Sequence, residues 1–313
     1  MPGSAITGWG LALPPDVLTN ADLERRFDTT DAWIVERTGI RERHIGGTTV
    51  GLAAQAGGRA LACAGLEQAD VDLLIVSTNT PDQAVPATSA MVQHRLALSG
   101  GAVDLNSGCS GFVYALVLAD GLVTGGTRRV LIVASDTVSR IVDPDDRSTA
   151  VLFGDAAGAA VIEASPGPSA LLGWDLGADG GAAGILYREH GKPLVMNGHE
   201  VFRRAVRATA GSARAAMERA KVEVDEIALF VPHQANSRII DAAASRLGFD
   251  SDRTVTVLDH TGNTSSASIP VALAEAAEAG RLCPGDLVLL AGFGAGMTWA
   301  SAVLRWGGAG GGV

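Results

Sequence analysis

Two stretches of this sequence, residues 71–81 (VDLLIVSTNTP) and residues 224–234 (VDEIALFVPHQ), decide the fold class. Each begins with Val-Asp, continues as a short apolar run and ends in polar residues. Each also follows an alanine-rich segment of helical character, at about Leu52–Ala64 and at about Phe202–Ala220. Buried apolar runs that alternate with helices indicate a sheet covered on both faces. The repeated order predicts an α/β protein with two similar βαβ-type halves.

Further apolar runs continue this pattern through both halves. The predicted strands are Val71–Ser77, Val130–Ser135, Ala159–Glu163, Ile227–Val231, Leu287–Ala291 and Ala302–Trp306. The pattern breaks at residues 165–169 (SPGPS), where two prolines flank a glycine. We therefore predict a first half at residues 1–165 and a second at residues 166–313. Alternation is common to all α/β proteins, so the internal duplication rests on the repeated order alone.

The composition of this 313-residue chain argues against several classes of function. Hydrophobic residues make up 47% and charged residues 19%, the balance of a globular protein with a large core. A net charge of -10 argues against a broad nucleic-acid surface. No apolar run reaches the roughly 20 residues that span a bilayer, and no secretory signal opens the chain. The three cysteines show no metal-binding spacing. We expect a cytoplasmic protein with reduced thiols, no metal site, and no membrane or nucleic-acid partner.

Cys109 is the predicted nucleophile. It lies in residues 104–112 (DLNSGCSGF), between a strand-like segment and a predicted helix at Gly111–Thr124. The dipole and unpaired N–H groups at the start of that helix favour a thiolate, so we expect a lowered thiol pKa. A buried structural role is commoner for a lone cysteine. That role suits Cys63, in an alanine-rich helix, and Cys283, in a turn.

Three further segments hold candidate polar groups. His233 follows a predicted strand in the segment PHQAN, and strand ends are where α/β folds place functional groups. Asn263 lies in HTGNTSSAS, before a predicted helix at Ile269–Ala279; alone, this segment indicates a turn and a helix cap. Residues 292–296 (GFGAG) could present a backbone N–H group to an oxyanion. A cysteine with a distant histidine and asparagine is also the arrangement of papain-like proteases, but their local sequence around the cysteine differs.

Together these segments resemble β-ketoacyl-acyl-carrier-protein synthase III, a ketosynthase of the thiolase superfamily that primes fatty acid and some polyketide synthesis. The matching stretches follow the family's order over nearly the whole chain: TNADL at 19–23, DAWIVERTGIRERHI at 31–45, CSGF at 109–112, DPDDR at 143–147, FGDAAGAA at 153–160, PHQAN at 232–236, GNTS at 262–265 and FGAGMTW at 293–299. The resemblance implies the five-layered thiolase fold, in which two similar halves meet at the active site, and usually a homodimer.

The resemblance also implies residue roles. Cys109 would take the acyl group from acyl-CoA, and His233 and Asn263 would promote decarboxylation of malonyl-carrier protein and hold the enolate oxygen. The backbone N–H groups of Cys109 and Ala295 would form the oxyanion hole. The implied CoA- and substrate-binding residues are Trp33, Arg37, Arg147, Phe202, Asn236 and Phe293, and those that dock the acyl carrier protein are Arg203, Arg238 and Arg246. Acyl-CoA is a substrate, and no cofactor is implied.

The resemblance leaves the reaction partly open. The leading hypothesis is decarboxylative condensation to a 3-oxoacyl product; the alternative is an acyltransferase of the same fold that passes the acyl group from Cys109 to an alcohol or amine. Asn263 favours condensation, because simple transfer needs no enolate-stabilising group. The intact triad argues against a third hypothesis, a catalytically idle partner subunit. Ser107-Gly108 and a short loop between Gly180 and Met196 depart from the family pattern and indicate a specialised member, whose starter acyl group stays open.

Overall fold

The chain forms two mixed β-sheets packed between helices, and the computed structural model describes residues 2–307. The strands are β1 (Gly3–Ala12), β2 (Asp16–Thr19), β3 (Glu42–Ile45), β4 (Leu73–Ser77), β5 (Gly101–Leu105), β6 (Arg129–Thr137), β7 (Asp155–Ser165), β8 (Leu171–Ala178), β9 (Leu186–Tyr187), β10 (Val195–Met196), β11 (Ile227–Pro232), β12 (Leu287–Gly294) and β13 (Thr298–Arg305). The helices are α1 (Asn20–Glu24), α2 (Asp31–Thr38), α3 (Thr49–Ala64), α4 (Thr88–Arg95), α5 (Gly111–Thr124), α6 (Arg147–Ala150), α7 (Gly198–Ala220), α8 (Ser237–Leu247), α9 (Leu258–Thr261) and α10 (Ser268–Glu278).

Each half of the chain supplies one main sheet. The first sheet has the order β1-β7-β6-β4-β5, with β4 parallel to β5 and β6, and β7 antiparallel to β6 and β1. The second has the order β11-β12-β13-β8, with β11 parallel to β12, and β13 antiparallel to β12 and β8. The central strands β6 and β12 are buried along almost their whole length, as a sheet covered on both faces requires.

Helices complete a five-layered arrangement. α3 packs on the outer face of the first sheet and α7 on the outer face of the second. α5 and α10 lie between the sheets and contact strands of both, and their apolar residues form the centre of the largest core cluster. The predicted α/β fold in five layers is therefore confirmed. In the described part of the chain, no helix is long and apolar enough to cross a membrane.

The predicted strands and helices lie at the observed positions in the chain, but many of their first and last residues differ from those in the structure. All six predicted strands are present, and α5 spans the predicted residues. β1 and β8 were not predicted, because glycines interrupt their apolar runs. The loop between Ser165 and Leu171 separates the strands of the two sheets and contains the predicted boundary. That the halves arose by duplication stays a prediction.

Candidate active site

Cys109 lies in the tight turn between β5 and α5. Gly108 has φ +59, in the left-handed region that glycine adopts without a steric penalty. A Cβ atom on Gly108 would lie 2.8 Å from the backbone nitrogen of Ala295, and one on Gly294 would collide with the nitrogen of Cys109. The glycines thus allow two backbones to touch, which brings the N–H groups of Cys109 and Ala295 into one small region. An oxyanion hole requires such an arrangement.

The expected lowering of the Cys109 thiol pKa is wrong. Although the residue as a whole is half-buried, burial of its sulfur raises the thiol pKa to about 12. A hydrogen bond with the Ser265 hydroxyl, 3.4 Å from Sγ, acts in the opposite direction, and the negative charge of Asp136 adds to the rise. Burial disfavours the charged thiolate because a buried sulfur loses its hydration. The raised pKa therefore favours a neutral thiol in the resting enzyme.

His233 follows β11 directly and is 2% exposed. Its Nδ1 atom lies 2.6 Å from the hydroxyl oxygen of Ser268, and its ring meets Phe293 edge-on at 5.3 Å between centroids. Burial lowers the pKa of His233 to about 3. The imidazole is therefore neutral at physiological pH. One of its nitrogens carries a proton and can donate a hydrogen bond, and the other can accept one.

Asn263 is held by the backbone on both sides. Its N–H donates to Leu152 and its carbonyl accepts from Gly154, and Gly262 before it has φ +67. Its side-chain Oδ1 accepts the N–H of Ser265 at 3.0 Å. Because Oδ1 is engaged, the amide presents Nδ2, whose hydrogen bond within the described part of the chain is a long one, 3.5 Å to the carbonyl of Ala235. Asn263 is thus a pre-oriented hydrogen-bond donor.

One cavity of about 390 Å³ brings the three predicted catalytic side chains together. Cys109, His233 and Asn263 all line it, although 154 residues separate the first from the last. Five of the six predicted binding residues line the same cavity: Trp33, Arg37, Phe202, Asn236 and Phe293. Apolar side chains complete its walls, so a long flexible ligand could reach from the surface to the sulfur.

The outer end of the cavity is built around Trp33. The guanidinium groups of Arg37 and Arg147 each lie 5.0 Å from the centre of its ring. Arg147 therefore stacks on Trp33 but does not line the cavity. Asn236 caps α8 and donates from Nδ2 to the carbonyl of Arg37 at 3.0 Å, which ties this end of the cavity to the second half of the chain.

The three predicted docking arginines lie on α7 and α8, which pack against one another. All three are exposed. Arg238 is at the cavity, with its guanidinium 5.5 Å from the ring centre of Phe202. Arg203 pairs with Glu200 on the same helix, and Arg246 is in the last turn of α8. The three arginines thus lie on two neighbouring helices, and Arg238 is the one that lines the cavity.

The family model described as 3-Oxoacyl-[acyl-carrier-protein (ACP)] synthase III matches residues 103–190, and the model of its C-terminal part matches residues 217–306. A β-ketoacyl-[acyl-carrier-protein] synthase III of Roseiflexus castenholzii is 48% identical, over 97% of this chain and 98% of the relative. The chain belongs to the β-ketoacyl-acyl-carrier-protein synthase III family.

Solved structures agree with this assignment. The 3-oxoacyl-[acyl-carrier-protein] synthase III of Aquifex aeolicus superposes with a TM-score of 0.95 at 41% identity, covering 97% of this chain and all of the other. The priming β-ketosynthase of the R1128 polyketide pathway gives 0.93 at 37% identity, covering 97% and 96%. The predicted family, thiolase-type fold and enzyme class are confirmed: the chain is an acyltransferase of the ketosynthase III type. Condensation is supported over simple acyl transfer.

The other two cysteines of this synthase III family member are not buried, which corrects the predicted structural role. Cys63 lies on the outer side of α3, whose inward face carries Ala56, Ala60 and Leu61. Cys283 lies in an exposed turn before β12. In residues 2–307, no group of three or more histidine, cysteine, aspartate or glutamate side chains is placed to hold a metal ion.

Sequence reasoning missed the second layer of this ketosynthase site. Ser265 contacts the nucleophile and Ser268 contacts the histidine, but the sequence pattern indicates only a polar turn at both positions. Asn79 and Asp136, which lie behind Ser265, were not singled out. One signal was present: the polar run at residues 78–80 follows β4 just as His233 and Gln234 follow β11.

Proposed function

We propose that this enzyme loads an acyl group from acyl-CoA onto Cys109 and then condenses it with malonyl-acyl carrier protein, or a related β-keto acid, to give a 3-oxoacyl product. The observation that carries the proposal is the neutral, oriented His233 beside Asn263, in the cavity that also reaches Cys109. Two uncharged donors are suited to stabilise an enolate. No cofactor is required, because every bond change uses the substrates and Cys109.

In the first step, the sulfur of Cys109 attacks the acyl-CoA thioester. The Cys109 S–H bond breaks, a new S–acyl bond forms, and the CoA thiolate leaves and takes up a proton. The backbone N–H groups of Cys109 and Ala295 stabilise the tetrahedral oxyanion. Because the thiol pKa is about 12, the proton leaves the sulfur as the new bond forms, instead of beforehand.

In the second step, His233 Nε2 and Asn263 Nδ2 donate to the thioester oxygen of the malonyl group. As CO₂ leaves, that oxygen gains negative charge, and both hydrogen bonds strengthen at the moment they are needed. The resulting carbanion attacks the acyl carbon on Cys109, and the Cys109 sulfur leaves and is reprotonated. A cationic imidazole is not required, which agrees with the lowered pKa of His233.

Substrate entry follows from the cavity. Trp33, Arg37 and Arg147 bind the adenine end of CoA, and Asn236, Phe202 and Phe293 line the path of the pantetheine arm. The exposed arginines on α7 and α8 (Arg203, Arg238 and Arg246) dock the acidic acyl carrier protein. Position supports this assignment for Arg238, which lies over Phe202 and lines the same cavity as the CoA residues.

The functional unit we propose is a homodimer in the cytoplasm. β5 is an edge strand of the first sheet with one paired neighbour, and an edge strand offers unpaired N–H and C=O groups to another chain. Large apolar side chains are exposed on β5 and on the following helix, namely Val103, Leu118 and Leu122. Sedimentation equilibrium on the purified chain tests the dimer.

One experiment tests the reaction. The protein is incubated with a panel of acyl-CoAs, and intact mass shows which acyl group stays on Cys109. Malonyl-acyl carrier protein is then added, and CO₂ release and the mass of the carrier are followed. We expect a 3-oxoacyl carrier protein and one CO₂ per product. Acyl transfer without CO₂ release from any malonyl or β-keto acid donor would overturn the proposal.

A further inference from the structure

A buried carboxylate lies behind the nucleophile. Asp136, on β6, is 0% exposed, and in residues 2–307 no cationic side chain forms a salt bridge with it. Each of its oxygens instead accepts one backbone N–H, from Asn79 at 2.7 Å and from Ser266 at 3.0 Å. Side chains add four more hydrogen bonds, from Thr78, Asn79, Thr80 and Ser266. A carboxylate so surrounded is a fixed acceptor.

This acceptor orients the Asn79 amide. A carboxylate that accepts backbone N–H groups on both oxygens requires that Asn79 turn its Nδ2 toward it, at 3.1 Å. The second proton on Nδ2 is then directed at the hydroxyl oxygen of Ser265, at 3.0 Å. Both amide protons are thus used, and the direction of each is set by Asp136.

The Asn79 amide in turn orients the Ser265 hydroxyl. Because Ser265 Oγ accepts from Asn79, its own proton points elsewhere, and the other hydrogen-bond partner of this hydroxyl among residues 2–307 is Cys109 Sγ, 3.4 Å away. Ser265 is 5% exposed and has φ +55, a left-handed conformation that is costly for a residue with a side chain. Such strain persists where the surroundings enforce it, and it is concentrated at functional sites.

We propose that Ser265 is a catalytic residue that donates a hydrogen bond to the Cys109 sulfur while that sulfur carries negative charge, with Asn79 and Asp136 as its positioning residues. The inference deepens the proposed function and rests on Cys109 as the acylated group. In acylation, the Cys109 S–H bond breaks, the S–acyl bond forms, the bond from acyl carbon to CoA sulfur breaks, and the proton ends on CoA. Ser265 keeps its own proton throughout.

The site gains from such a donor because two of its features disfavour a charged sulfur. Burial raises the thiol pKa, and the Asp136 carboxylate behind Ser265 adds to that rise. The Ser265 hydroxyl stands between the carboxylate and the sulfur and presents its positive end to the sulfur. The contact serves twice, since the same sulfur must leave as a thiolate when the condensation product forms.

The test measures the sulfur directly, without a substrate. In a Cys63→Ser, Cys283→Ser background, the second-order rate of Cys109 alkylation by iodoacetamide is followed from pH 6 to pH 10. A hydrogen bond to a charged group predicts a roughly 10- to 100-fold slower reaction in Ser265→Ala at every pH. The rate of acylation from acyl-CoA should fall by a similar factor.

Two further variants keep the test decisive. Thr264→Val changes the neighbouring buried hydroxyl, which has no hydrogen-bond partner among the described residues, and should alkylate at the wild-type rate. Asn79→Ala keeps Ser265 but removes its orienting bond, and should slow alkylation by roughly 3- to 10-fold. An unchanged rate in Ser265→Ala, or an equal loss in Thr264→Val, overturns the proposal. If Ser265→Ala does not fold, an unchanged rate in Asn79→Ala overturns it.

Failure of the proposed reaction gives a different result. If the wild-type protein forms no acyl-enzyme or 3-oxoacyl product but alkylation still depends on Ser265, the condensation proposal is wrong and the role of Ser265 on the sulfur stands. If products form normally and alkylation does not depend on Ser265, the reverse holds.

Discussion

The Nδ1 atom of His233 lies 2.6 Å from the hydroxyl oxygen of Ser268, the first residue of α10. That oxygen already accepts the backbone N–H of Gln234 at 3.3 Å, and the hydroxyl proton has no other acceptor in the described part of the chain. Ser268 therefore donates to Nδ1, and the proton of the neutral ring resides on Nε2. The fold thus selects the tautomer that can donate to a substrate oxygen.

Replacing Ser268 by alanine should remove the hydrogen bond that keeps the His233 proton on Nε2. With Nδ1 no longer held as an acceptor, part of the population should carry the proton on the wrong nitrogen, and the ring should lose its fixed orientation. We expect CO₂ release to fall by roughly 10-fold or more, and alkylation of Cys109 to stay near the wild-type rate. ¹⁵N NMR of the histidine ring checks the cause directly. An Nε2–H tautomer that persists in Ser268→Ala would contradict the assignment.

Asn263→Ala should separate the two half-reactions. Acylation develops no charge at the position of the malonyl oxygen, so the variant should still take an acyl group from acyl-CoA. Decarboxylation and condensation should fall by about 10²–10³-fold, the effect of losing one oxyanion-hole donor. Intact mass follows the acyl-enzyme, and CO₂ release follows the second step.

Asn263→Asp is the matched variant for this test. Its Oδ1 can still accept the N–H of Ser265, so the local backbone is preserved, but a carboxylate has no N–H to donate. It should lose decarboxylation as severely as Asn263→Ala. Near-normal CO₂ release in Asn263→Asp would show that Asn263 acts only through the loop.

Arg37→Ala should change substrate binding and leave the chemistry intact. The guanidinium lies over the ring of Trp33, and no hydrogen bond in the described part of the chain joins it to Cys109, His233 or Asn263. A remote contact of the cation–π type predicts a KM for acyl-CoA that is roughly 3- to 30-fold higher, with kcat nearly unchanged. Arg41→Ala, an exposed arginine outside the cavity lining, is the control. Equal KM values for the two variants would place the CoA site elsewhere.

Glycines explain why the sequence pattern did not predict the strands β1 and β8. β1 (GSAITGWGLA) and β8 (LLGWDLGA) show broken apolar runs, so neither was predicted. Their glycines are required by packing: a Cβ on Gly8 or Gly10 would collide with the backbone of α3, and one on Gly173 with the backbone of α7. Where a helix lies this close to a sheet, the residue that permits contact is the one that weakens the local strand signal.

The individual site residues could be predicted from the sequence, but their proximity in space could not. Cys109 and Asn263 each stand out beside a helix start, yet only the family resemblance placed them together. The contact from Cys109 to Ser265 spans 156 positions, and the contact from Asn79 to Ser265 spans 186. The predicted direction of the Cys109 pKa shift was wrong for a related reason. A helix start is visible in sequence, whereas the burial that opposes it depends on the whole fold.

His233 and His260 should make the stability of the protein depend on pH in opposite directions. Burial lowers the pKa of His233 from 6.5 to about 3, so between these values the unfolded chain binds more protons than the folded one. Its stabilising contribution is therefore present above pH 6.5 and is lost as the pH falls. From pH 7 to pH 5 the loss should be on the order of 2 kcal/mol.

His260 behaves in the reverse way. Hydrogen bonding to Glu275, and then to Asp259, raises its pKa from 6.5 to about 9. The folded state therefore binds the extra proton, and this contribution is complete below pH 6.5 and is lost as the pH rises through 9. The side chain is 38% exposed, so solvent screening makes this effect the smaller of the two.

Urea unfolding of wild type, His233→Gln and His260→Gln at pH 5, 7 and 9.5 measures both contributions. From pH 7 to pH 5 the free energy of unfolding of wild type should fall relative to that of His233→Gln, because glutamine has no proton to gain in the unfolded chain. The difference between wild type and His260→Gln should favour wild type at pH 5 and shrink by pH 9.5. A His233→Gln difference that is the same at pH 5 and pH 7 would mean that folding does not lower the pKa of His233. The fold would then not impose the neutral imidazole on which the proposed decarboxylation step depends.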